Sequence, residues 1–142
     1  MRMNHDLTGA KALLLAEGYT CVLQKDETVY SSTQRGIAPL MKWLATETEL
    51  QGFSAADKVV GKAAAYLYVL LQVKAVHACV ISQPALEVLE RYGITVSYDE
   101  LVPAIRNRTD TGFCPMESAV LSVDNAEEAY AVLQQKLASM KS

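Results

Sequence analysis

The sequence predicts an α/β domain with a partly parallel sheet and helices on both faces. Three observations carry this. From residue 54 to 98 the hydrophobic pattern reads helix, strand, helix, strand, an order that requires crossovers onto parallel strands. Before it, Tyr19–Gln24 and Thr28–Ser32 flank the polar turn Lys25-Asp26-Glu27 and read as a hairpin. Ser54–Leu71, SAADKVVGKAAAYLYVLL, has Lys62 as its only charge beyond Val59. It is too apolar all round for a surface helix and is predicted to be the central helix, covered on most sides.

The remaining elements follow in order. Leu7, Ala10, Leu14 and Glu17 recur at helical spacing, and Gly18 provides a stop. Ser31–Gly36 is a loop, and Pro39 suits the first turn of a short helix over Pro39–Ala45. A polar connector ends at Gly52. Ala75–Ile81 has the length and apolarity of a strand buried on both faces. Ser82 is a good N-cap for a helix to Tyr92, with Pro84 in its first turn and Gly93 after it. Ile94–Tyr98 alternates as a strand, Leu101–Ile105 reads as one turn, and Phe113–Leu121 begins another short helix. Asp124 or Asn125 caps a last helix, Ala126–Met140.

Composition narrows the function. One domain of 142 residues is long enough for a sizeable core. Thirteen basic against sixteen acidic residues, with no basic cluster, argue against a general nucleic-acid binder. No run approaches 18 apolar residues, so no membrane span is expected, and nothing resembles a signal peptide. Three scattered cysteines, Cys21, Cys79 and Cys114, disfavour a disulfide framework. A cytoplasmic protein is the expectation.

Several residue types point to chemistry. Asp57, Lys58 and Lys62 fall in the first two turns of the expected central helix, where lysines oppose the helix dipole; this suggests a pocket mouth for an anion. Asp57 would serve there as a base, and the lysines as electrostatic stabilisers. Arg35 and the Arg106-Asn107-Arg108 triplet supply further cationic and polar groups. Cys114 precedes Pro115 and would cap a helix, a setting that lowers a thiol's pKa and makes it a nucleophile. The bland alternatives are a buried small residue for Cys114, a helix cap for Asp57 and solvated side chains for the lysines and arginines. A P-loop register over Ala56–Ala63 fails, because its first glycine and its Ser/Thr are alanines. His77 and Cys79 share a strand face, but no companion motif completes a zinc set. His77 is expected in or near the core.

Together ADKVVGKAAA (56–65), ISQPALEVLERYGI (81–94), LVPAIRNR (101–108), GFCPMES (112–118) and RGIAPL (35–40) resemble a small prokaryotic family of unknown function with a cytidine-deaminase-like fold. The resemblance spans roughly residues 6 to 121 and implies a three-layer α/β/α sandwich with a mixed sheet. Zinc deaminases carry His-x-Glu and Pro-Cys-x-x-Cys at the starts of two helices. Here Ala56-Asp57-Lys58 and Ser82-Gln83-Pro84-Ala85-Leu86 stand in those places, so the resemblance implies a site without metal or other cofactor. Asp57, Lys58 and Ser82 would line it, with Cys114 and Glu117 approaching from the later loop. The expectation is a metal-free domain binding a small anionic, nucleotide-like metabolite, with Cys114 as nucleophile if it is an enzyme. The alternatives are a non-catalytic ligand sensor or interaction subunit, and a structural protein whose apolar content serves a homo-oligomer.

Overall fold

The computed structural model describes residues 5–34, 36–105 and 115–140, the last without the Met140 side chain. The elements are α1 (His5–Ala16), β1 (Cys21–Lys25), β2 (Thr28–Ser32), α2 (Ala38–Ala45), β3 (Ser54–Val60), α3 (Lys62–Leu71), β4 (Ala75–Ser82), α4 (Gln83–Arg91), β5 (Thr95–Val102), α5 (Pro115–Ala119) and α6 (Ala126–Met140). They form a mixed α/β sheet flanked by helices. The strand order is β2-β1-β3-β4-β5. The β1–β2 hairpin and the β1–β3 pair are antiparallel, while β3, β4 and β5 run parallel.

Most expected elements stand where their local signals put them. Gly18 and Gly93 have φ of +71° and +78°, the left-handed geometry that ends a helix at little cost only in glycine. Ser82 Oγ accepts from Ala85 N–H at 3.2 Å, capping α4. Asn125, the second of the two expected caps for α6, accepts from Glu128 N–H at 2.8 Å.

The central helix is half as long as the sequence suggested. Ser54–Val60 is a strand, and the helix starts only after Gly61. Its Ala-Ala-Asp-Lys composition favours a helix locally, but tertiary packing decides otherwise. Ala55 and Ala56 are fully buried on opposite faces of the sheet, Ala55 in the main core and Ala56 beneath α1. Small side chains let helices approach both faces of the strand. Asp57 and Lys58 therefore sit on a strand, not in a helix's first turn. Two smaller corrections follow at the far edge. β5 continues through Leu101 and Val102 instead of turning there, and the helix expected from Phe113 is described only over α5.

Helices α2, α3, α4 and α6 share one face, where Tyr66, Leu67, Tyr68, Leu89 and Leu133 fill a core with Leu23, Ala55, Val76 and Ala78. The other face holds α1, whose Ala10 and Leu14 pack on Val22 and Ala56. The parallel strands aim the N-termini of both α3 and α4 at the same end of the sheet.

Candidate functional site

At that end β3 finishes at Val60 and Gly61 caps α3 in extended backbone (φ −100°, ψ −179°) with no side chain to satisfy the first N–H groups. Glu117 does so instead. Its Oε1 accepts from Lys62 N–H at 2.6 Å and its Oε2 from Ala63 N–H at 2.7 Å. The carboxylate straddles a helix N-terminus carrying about half a positive charge. Gly61 makes this approach possible, because a Cβ there would collide with the Glu117 carboxylate. Burial pushes the Glu117 carboxyl above its usual value, opposed by the two N–H bonds and by Lys62.

Lys62 does not project into open space. Its Nζ donates to Leu121 carbonyl oxygen at 2.9 Å and lies 5.9 Å from the Tyr66 ring centroid. Beside this group Lys62, Pro84, Ala104, Ile105, Glu117 and Leu121 enclose a cavity of about 50 Å³. A more open depression of about 210 Å³ lies between Trp43 and Gln72. Among the described residues Glu47 and Glu49 line it and no lysine or arginine does, so it suits an anion poorly.

The other expected site residues are dispersed. Asp57 is buried four residues before Gly61, about 13 Å along an extended strand. Its Oδ2 accepts from Tyr68 Oη at 2.7 Å and its Oδ1 from Val59 N–H at 3.3 Å. Cys21 Sγ lies 3.1 Å from the same Tyr68 oxygen, extending a buried chain of thiol, phenol and carboxyl. Burial raises the Asp57 carboxyl from 3.8 to about 7, despite the hydrogen bonds that favour its charge. Lys58 is exposed on the opposite strand face and shares no mouth with Asp57 or Lys62. Ser82 is fully buried as the α4 cap, so its hydroxyl is committed to backbone. Arg35, Asn107, Arg108 and Cys114 lie outside the described residues. The sequence reading missed Tyr68, whose place beneath Asp57 depends on how α3 docks and leaves no local signal.

Two comparisons bear on this arrangement. The family model described as TM1506, domain of unknown function (DUF1893), matches residues 9–137. The chain belongs to this family. It is similar to the crystal structure of a DUF1893 family protein (TM1506) from Thermotoga maritima, with 29% identity and a TM-score of 0.88. The match covers 96% of this chain and 92% of that one. No curated protein matches the chain. Among the described residues no group of three or more His, Cys, Asp or Glu side chains could hold a metal ion. No helix among them is long and apolar enough to cross a membrane.

Proposed function

We propose that this domain binds a small anion at the N-terminus of α3, and that Glu117 holds the place until the ligand's carboxylate or phosphate takes it. The single observation behind this is the Glu117 carboxylate on the Lys62 and Ala63 N–H groups, at a glycine that leaves room for it. Those two donors, the positive helix end and the nearby Lys62 ammonium form a set that negative oxygen satisfies. The cavity of about 50 Å³ is small beside the ~300–1,000 Å³ of ordinary ligand pockets. A nucleotide-like metabolite therefore needs α5 to withdraw, whereas a bare anion needs only the carboxylate to swing away. The cytidine-deaminase-like reading of the fold belongs to this proposal. It rests on the mixed sheet and on the paired β3–α3 and β4–α4 units with their N-termini at one end. In its catalytic form Cys114, three positions before Glu117 in the chain, is the nucleophile; otherwise the domain is a ligand sensor.

The test follows the Lys62 and Ala63 amide resonances while inorganic phosphate, and then a nucleoside monophosphate, is added to the wild type and to Glu117→Gln. Removing the competing charge should tighten binding at least tenfold and move those two resonances first. If neither anion moves them in either protein, the α3 N-terminus is not a binding site.

A further inference from the structure

On the opposite sheet face, away from α3, the parallel register sets His77 of β4 directly beside Ser97 of β5, and Asp99 lies two residues further on. His77 Nδ1 is 2.8 Å from Ser97 Oγ, and His77 Nε2 is 3.5 Å from Asp99 Oδ2. The imidazole is 4% exposed, whereas Ser97 and Asp99 are exposed. α1 packs on β1, β3 and part of β4, and among the described residues the β5 part of this face is exposed. A carboxylate beside Nε2 favours the tautomer that keeps its proton on Nε2 and presents the Nδ1 lone pair to the serine hydroxyl.

We propose that Ser97, His77 and Asp99 form a second reactive centre, in which Ser97 takes an acyl group from a small activated ester. Ser97 Oγ bonds to the carbonyl carbon as its proton passes to His77 Nδ1. The tetrahedral adduct expels the leaving alkoxide, which takes that proton from Nδ1. Water then repeats the sequence, releasing the acid and restoring Ser97. Ser97 and His77 are the catalytic residues; Asp99 is a positioning residue that orients the ring. Among the described residues, Lys11 of α1 and Lys58 of β3 bring positive charge to this face. Lys11 bears on both His77 and Cys79, while at Cys79 the carboxylates of Asp99 and Asp57 outweigh Lys58 and Lys11. Burial and Lys11 lower the His77 pKa from 6.5 while Asp99 opposes them, which keeps the ring neutral and able to accept a proton near pH 7.

The test is labelling of the full chain by a fluorophosphonate between pH 4.5 and 9, with the adduct mapped by peptide mass spectrometry. Ser97 Oγ displaces fluoride in this reaction, so an active centre yields one adduct, on Ser97. The rate should rise with pH through a midpoint below 6.5. Ser97→Ala, an exposed change, should abolish the adduct. Asp99→Asn should slow labelling at least tenfold and move the midpoint lower still, since the carboxylate that raises the His77 pKa is gone. The wild-type pH profile needs no variant to fold. No adduct, an adduct elsewhere, or a rate independent of pH overturns the proposal.

Discussion

Asp57→Asn is the sharpest probe of the core. A carboxyl raised from 3.8 to about 7 binds its proton more tightly in the folded chain than in the unfolded one. Its contribution to stability is therefore full below about pH 4 and is lost as pH climbs through about 7. At 1.36 kcal/mol per pH unit, the loss is about 4 kcal/mol, a large part of a typical domain's stability. Asparagine has nearly the same shape and cannot ionise. It can still accept from Tyr68 or from Val59 N–H, and Tyr68 Oη can turn to accept from its amide. Urea unfolding of both proteins at pH steps from 4.5 to 8.5 isolates the effect, since every other titrating group is shared. The variant should match the wild type or fall slightly short at pH 4.5, and should exceed it by a few kcal/mol at pH 8. Parallel curves, or a wild type that gains on the variant as pH rises, would refute the argument that burial controls this carboxyl.

Gly61 and Glu117 should behave as one unit. Gly61→Ala and Glu117→Ala should each cost about 1–3 kcal/mol, through a collision and through two lost N–H bonds respectively. The double variant should cost at least about 1 kcal/mol less than the sum, because each change removes what the other disturbs; strict additivity in urea unfolding would show that they are independent. The native cysteines should separate by burial. Cys21, buried with its thiol pushed well above its usual pKa by desolvation and by Asp57, should resist iodoacetamide until the chain unfolds. Half-buried Cys79 should react slowly but measurably, and equal rates for the two in the folded protein would contradict the packing around Tyr68.

What the sequence disclosed tracks how local each cause is. The hairpin, the glycine stops and the Ser82 cap depend on a few adjacent residues, and each was legible. The segment 54–60 was not. Its side chains are those of a helix, and its strand state comes from α1 and α3 closing on Ala55 and Ala56 from either side. Misreading it placed Asp57 and Lys58 in the first turns of a helix, whereas they lie on β3 and only Lys62 stands at the start of α3. Gly61 was the available signal, because a glycine between an apolar pair and Lys-Ala-Ala-Ala also marks a strand-to-helix junction. Glu117 was named as a candidate, but its hold on amides 54 and 55 residues earlier depends on the docking of α5. The pairing of His77 with Ser97 needed the β4–β5 register, which no periodicity reveals.

The internal carboxylate also sets how an anion would compete for α3. Glu117 is tethered, so it faces the two N–H groups at high effective concentration, and a free ligand binds only the fraction of molecules in which it has swung away. Each 1.4 kcal/mol by which the closed arrangement is favoured lowers the apparent affinity about tenfold. A weak response from the wild type is therefore expected. Burial works the other way, since a desolvated Glu117 carboxyl is easier to protonate and then gives up its charge-assisted bonds. Acidic solution should loosen α5 and aid a phosphate, which gives up one charge near neutrality but stays a monoanion there. The ratio of wild-type to Glu117→Gln phosphate affinity should thus rise as pH falls from 7.5 to 4.5, since both proteins meet the same change in phosphate charge. Calorimetric titration at those two pH values distinguishes the cases, and an affinity gain shared by both proteins would remove Glu117 as the competitor.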